Sequence, residues 1–244
     1  MAGDILLIVR KEWKELFQRR GRKLGGLLNL AILLFLLGVF MPLQSGIDWL
    51  TNPLVPLAWT WLPISLTMGI VADAFAGERE RHTLETLLSS RLSDRAIVIG
   101  KQLAAILYGW CVAEMGLLLA ALTVNLADPQ PSWTFYSPAN FIGCLVLPLL
   151  AAGLMAGLGT FVSIRSATVR QASQQLSIGL LVLFVLPMFA VQYLPETWRV
   201  EVFARLQNLN LQTLFILLAA GWLVVDLVLA AMAVKRFQRS ALIE

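Results

Sequence analysis

Among the polar residues that interrupt long apolar runs of this chain are three acids, Asp73, Glu114 and Asp226, and the amide Asn29. A carboxylate at the centre of a bilayer costs about 3 kcal/mol on insertion scales, so such residues are candidates for function by default. Glu114 and Asp226 have the chemistry of proton sites or of groups lining a cargo path. The other reading is that they hold helices together, through Asn29, Trp110 or protonated contacts. Asp73 lies at the end of its run and groups with the charged segment that follows. Tools for catalysis are missing. His82 is the single histidine, Cys111 and Cys144 stand alone in apolar runs, and no CxxC or Ser/His constellation occurs. The stretch "IGKQ" at 99–102 lacks both the upstream glycine and the Ser/Thr of a phosphate loop. No catalytic, metal-binding or cofactor-binding residue is assigned.

The densest chemistry is the strip "AGERERHTLETLLSSRLSDR" at 76–95, flanked on both sides by apolar sequence. Leu84, Leu87 and Leu88 recur at i, i+3 and i+4, an apolar patch on a short helix, with Glu78, Arg79, Glu80, Arg81 and Glu85 around it. Ser93 is placed to cap the following helix, with Asp94 in its first turn. An amphipathic segment tied at both ends to membrane helices suits either lipid headgroups or the groove of a soluble partner. Mixed acids and bases favour the groove, since an anionic membrane would select Lys and Arg alone.

What must position this strip is a membrane domain. The chain of 244 residues is 58% hydrophobic and 14% charged, where ordinary soluble domains carry about a quarter charged residues. Spanning a bilayer takes about 20 apolar residues per helix. Six spans are expected, at about 24–43, 54–76, 97–126, 139–164, 172–194 and 211–234, forming a single all-α domain over 24–234. Residues 1–23 precede it and 235–244 form a tail. Pro56, Pro63, Pro148 and Pro187 fall inside spans as kink candidates. The N-terminal "ILLIV" is too short for a signal peptide and is broken by Arg10 and Lys11. Instead Ile5, Val9, Trp13, Leu16 and Phe17 share one helical face, which fits a helix lying at the bilayer surface better than one packed on protein.

Basic residues set the orientation. Of the 19 Lys and Arg, all but Arg199 and Arg205 fall before the first span, between spans two and three or just inside the third at Lys101, between four and five, or after the last. That asymmetry places both termini in the cytoplasm of a multi-pass protein of the plasma or inner membrane, and it accounts for the net charge of +4 without nucleic acid. Trp49, Trp59, Trp61, Trp133 and Trp198 then sit near the outer ends, where amphipathic rings are favoured. In the outer loop 195–210, Trp198, Val202 and Leu206 share a face, predicting a short surface helix. The run "GLMAG" at 153–157, continued by Gly159, permits close helix contact within the chain or with another copy.

The segment "FAGERERHTLETLLSSRLSDRAIVIGK" at 75–101 resembles the signature region of ABC-2 type permeases, the membrane subunits of one class of ABC exporters. The matching positions are Gly77, Glu78, Arg79, Glu80, Thr83, Leu84, Glu85, Leu87, Leu88, Gly100 and Lys101. His82 stands where that family commonly has Gly, and Arg91 where it commonly has Pro. The resemblance implies that 77–95 is a coupling helix contacting a cytosolic ABC ATPase, present in two copies and carrying the ATP and Mg. It also implies pairing with a second permease subunit as a homodimer or heterodimer, an N-terminal connector helix, and an outer gate near Trp198, Val202 and Leu206. The rivals are a proton-coupled secondary transporter using Glu114 and Asp226, and a membrane scaffold without cargo.

Overall fold

The computed structural model describes residues 2–22, 24–89, 91–127, 132–193, 195–198 and 211–236. Among them all regular secondary structure is helical. Helix α1 spans Ala2–Arg22. Helix α2 (Leu24–Phe35) runs through a π-helical turn at Leu36–Phe40 into α3 (Met41–Ser45). Two short helices, α4 (Asp48–Thr51) and α5 (Val55–Trp59), turn the chain back into α6 (Trp61–Glu80). After α7 (Leu84–Leu88) come four long helices: α8 (Asp94–Ala127), α9 (Pro138–Arg165), α10 (Val169–Tyr193) and α11 (Leu211–Arg236). Five helical segments among the described residues are long and apolar enough to cross a membrane: Leu28–Ser45, Val55–Glu80, Asp94–Ala127, Pro138–Arg165 and Thr213–Ala233. The protein is an all-α membrane protein.

Helices α6, α8 and α9 form the centre, and small residues set how closely they pack. A Cβ on Gly159 of α9 would lie 2.6 Å from Cγ1 of Val71, and one on Gly109 of α8 would lie 3.1 Å from the Pro63 carbonyl. Lipid offers no hydrophobic drive for helices to associate, so close approach and polar contacts must supply it. The Ser163 hydroxyl donates to the Ala72 carbonyl at 3.0 Å and accepts from the N–H groups of Phe75 and Ala76 at 3.1 Å. Gln102 Nε2 donates to Thr160 Oγ1 at 3.0 Å, both residues being buried. The GxxxG run is used within the chain. Gly153 receives Asp226 and Gly157 receives Leu229, both from α11.

Two of the four prolines expected as kink candidates instead begin helices. Pro56 and Pro63 lie in the first turns of α5 and α6, where the missing N–H would have no helical partner anyway. The break between these helices falls at Thr60, whose hydroxyl donates to the Leu57 carbonyl at 2.7 Å. Pro148 is the one inside α9, and the turn before it offers the Leu145 carbonyl to Trp110 Nε1 at 2.9 Å. The π turn also has a local cause. At Gly38 the α8 helix comes so near that a Cβ would sit 3.2 Å from the Gly116 carbonyl, and Thr123 Oγ1 donates to the Gly38 carbonyl at 3.1 Å.

Helix α1 docks on α8 with its apolar stripe. Ile8 and Val9 are buried, and Trp13 Nε1 donates to the Ala104 carbonyl at 3.0 Å. Leu6 and Leu7 remain on the exposed side. Part of the stripe read from the sequence thus packs on protein.

Gly159→Ala should lower the melting temperature in detergent, because Val71 would have to give way; such overpacking typically costs about 1–3 kcal/mol. Gly179→Ala, on α10 with open space around its Cβ, should leave it unchanged or slightly higher. Parallel thermal unfolding of the two variants reads both.

Candidate functional site

The charged strip folds into a compact junction of helix ends. Helix α6 continues a full turn beyond the expected span, carrying Gly77–Glu80 as helix. It stops in a Schellman motif: Thr83 N–H donates to the Glu78 carbonyl at 2.9 Å and His82 N–H to the Arg79 carbonyl at 3.1 Å. His82 takes the left-handed position with φ of 55°. That geometry explains why glycine suits this place, since a side chain there costs about 1–2 kcal/mol. After α7, Ser93 caps α8 with its hydroxyl accepting from Ala96 N–H at 3.3 Å.

Each charge of "GERER" has a partner inside the chain. Lys101, only 3% exposed, donates to Glu12 of α1 and Glu78 of α6, both at 2.8 Å, and lies over the Phe75 ring at 5.5 Å. Lys11 adds a second cation 3.7 Å from Glu78, so two acids face two bases. Arg79 donates to the Ile164 carbonyl at 2.9 Å and to that of Ser166, holding the free carbonyl end of α9. Glu80 accepts from the Val169 N–H at 3.0 Å, where α10 begins. Arg81 reaches back two turns to both carboxylate oxygens of Asp73 at 2.9 Å. The pair passes over Gly77, where a Cβ would fall on both side chains.

Gly100 and Lys101 work as a unit. A Cβ on Gly100 would lie 2.8 Å from the Cβ of Ile8, so the glycine lets α1 settle onto α8. Lys101, next in sequence, then fastens α1 by Glu12.

Of the residues singled out in the sequence, Glu78, Arg79, Glu80, Leu84 and Leu87 meet at this junction. Leu84 is buried and Leu87 packs beside it, in a core with Ile8, Phe75, Ile97 and Ala233. The Leu88 side chain lies outside the described residues. The exposed face of α7 is instead polar, with Thr83, Glu85 and Thr86, and His82 beside it. The membrane candidates are not brought together. Asn29 is exposed on α2, Glu114 is half-buried on α8, and Asp226 on α11 lies against Gly153. Trp110 is engaged with Leu145 rather than with either acid. Glu114 Oε1 and Asp226 Oδ1 are buried without a hydrogen-bond partner. In the outer loop, Trp198 N–H donates to the Pro195 carbonyl at 3.0 Å and its ring is exposed; Val202 and Leu206 lie outside the described residues.

The pattern missed Glu12 and Lys11. Glu12 falls four residues after Ile8 and four before Leu16, so it lies on the buried face of α1. An acid on an apolar stripe signals a buried cation opposite.

Lys101→Met should leave Glu12 and Glu78 facing each other in a buried site, with a loss of about 3–5 kcal/mol. Adding Glu12→Gln and Glu78→Gln to that variant should restore part of it, read by thermal unfolding and by protease cleavage of α1. His82→Gly should stabilise by about 1 kcal/mol in the same unfolding assay.

Residues 30–216 match the family described as ABC-2 family transporter protein. The ABC transporter permease protein NatB of Bacillus subtilis (strain 168) is 29% identical over 157 residues, covering 62% of this chain and 40% of that protein. The chain therefore spans well under half of that relative's length in the match. With the family match covering most of the chain, including α6, α7 and α8 of the junction, the protein belongs to the ABC-2 family of transporter proteins.

Proposed function

We propose that the chain is the six-span permease subunit of an ATP-driven exporter, coupled to a separate cytosolic ABC ATPase that binds the ATP and Mg. Two ATPase copies and a second permease subunit complete the assembly, with both termini of this chain in the cytoplasm of the cell membrane. The Lys101 junction carries the reading. Through Glu12 and Glu78 it joins α1, α6 and α8 at the base of α7, while Arg79 and Glu80 engage α9 and α10. A push on α7 therefore reaches the ends of five helices at once. ATP binding would draw the ATPases together, carry α7 with them and reorient the spans, so that cargo leaves outward between two permease subunits.

The contact with the ATPase falls on the exposed side of α7, at His82, Thr83, Glu85 and Thr86, because Leu84 and Leu87 are engaged within the chain. A second reading, proton-coupled transport, draws on the buried, unpartnered oxygens of Glu114 and Asp226.

Purification of the chain from its native membrane in mild detergent separates these readings. A soluble ATPase should come down with the unaltered chain. Glu85→Arg/Thr86→Arg should weaken its recovery about tenfold or more without changing the melting temperature, since both side chains are exposed. Leu84→Asp, by contrast, should destabilise the permease itself by burying a charge. Absence of any ATPase, even after crosslinking, would refute the coupled reading and direct attention to transport driven by a proton gradient and abolished by Glu114→Gln.

A further inference from the structure

The end of the bundle remote from the Lys101 junction carries a cup that the transport reading does not use. Its volume is about 390 Å³. One wall is polar, from Gln44, Ser45, Asp48 and Asn52, with the Trp49 ring beside it; the other is apolar, from Leu54, Val55 and Ala58. The loops 44–53 and 127–138 contain no Lys or Arg, so the exposed Asp48 carboxylate meets no cation from them. At the junction end every acid of the "GERER" run has an internal partner.

The cup is held in shape from behind. Asn140 Nδ2 lies within 3.2–3.4 Å of the carbonyls of Leu50, Thr51 and Asn52, which closes the C-terminal end of α4. Asn52 Oδ1 accepts from the Leu54 N–H at 2.9 Å, fixing the turn into α5. Trp49 packs edge-on against Trp59, with ring centroids 6.1 Å apart, and Trp59 is anchored to the Ala113 carbonyl at 3.2 Å. Leu50, beneath the cup, is fully buried.

We propose that this cup binds an amphiphilic ammonium ion, its charged head at Asp48 and Trp49 and its alkyl part along Leu54, Val55 and Ala58. A carboxylate beside an indole is complementary to an alkylated nitrogen, which the ring attracts through its quadrupole. The side-chain amide carbonyl of Gln44 and the hydroxyl of Ser45 accept from any N–H the head retains. A bare metal ion is poorly served, since no group of three or more acidic or sulfur and imidazole ligands occurs among the described residues. The apolar wall supplies a surface that a hydrated ion would not use. The source is a free amine or the headgroup of a phospholipid such as phosphatidylethanolamine; the head chemistry is shared. The proposal stands on the cup alone and does not depend on how transport is driven.

The test uses the full chain in nanodiscs of phosphatidylglycerol, with octyltrimethylammonium as probe and octyl sulfate as the charge-reversed control. Calorimetry should show saturable binding of the cation that octyl sulfate does not compete. Asp48→Asn and Trp49→Leu should each weaken it about fivefold or more, the scale of one exposed charge pair or one cation–π contact. Circular dichroism and melting temperature confirm that Asp48→Asn remains folded, as its exposure predicts. In a second arm, native mass spectrometry of protein taken from phosphatidylethanolamine-rich membranes reports the source. Lipid retained by the unaltered chain and lost in Asp48→Asn assigns the headgroup; saturable probe binding without retained lipid assigns a free amine. Equal cation binding by folded Asp48→Asn, or equal binding of octyl sulfate, overturns the proposal.

Discussion

Lys101 carries a full charge at a place that water scarcely reaches, and the arrangement of the surrounding helix ends answers that fact. Burying an unpaired ammonium costs several kcal/mol, and one carboxylate would leave two of its three protons without a partner. Two carboxylates come from different helices, so the chain satisfies the lysine only when α1 and α6 are both in place against α8. The added negative charge is then balanced by Lys11 from the same helix as Glu12. A purely apolar contact of the same size would hold the helices as firmly. It would not fix their register, since leucine and isoleucine tolerate sliding by a fraction of a turn and a 2.8 Å hydrogen bond does not.

The same logic runs outward from that pair. Once α6 is held through Glu78, the next three side chains are aimed by the helix at successive neighbours: Arg79 at the end of α9, Glu80 at the start of α10, Arg81 back along α6 to Asp73. Each engages a helix terminus or an opposite charge. Small residues make the approach possible, with Gly100 under Ile8, Gly77 under the Arg81–Asp73 pair and Gly159 against Val71. Charge and absence of side chain are therefore two parts of one design. The acidic and basic residues give direction, and the glycines bring them within reach.

Much of this was legible in the sequence. Apolar runs and the placement of Lys and Arg give an all-α membrane protein, and the spacing of Leu84 and Leu87 gives a short helix with one apolar face. Which partner that face meets was not legible. Periodicity reports that a face is apolar and is silent on whether lipid, another chain or the protein's own core covers it. The leucines of α7 and, from α1, Ile5 and Ile8 face the same core around Ile97 and Phe75. Glu12 was readable in principle, as an acid on a buried face, yet its partner lies 89 residues away and no local pattern connects them. The prolines show a similar limit. Pro56 and Pro63 sit within one apolar run, and only the break at Thr60 shows that they begin two helices rather than bend one.

His82 shows why local and global demands must be weighed together. The helix α6 has to stop where it does, because one more turn would carry Thr83 and Leu84 away from the core that Leu84 enters. Stopping in a Schellman motif requires a left-handed residue, and glycine would fill that position with least strain. Histidine accepts it at a penalty near that of losing one hydrogen bond. The penalty is affordable here because the turn is fixed from both sides. Two backbone hydrogen bonds close it, and the Glu78 carbonyl that receives Thr83 belongs to the residue Lys101 holds. The strained turn and the buried ion pair thus share a residue, and the geometry of α7 is set by the pair rather than by the preferences of its own five residues.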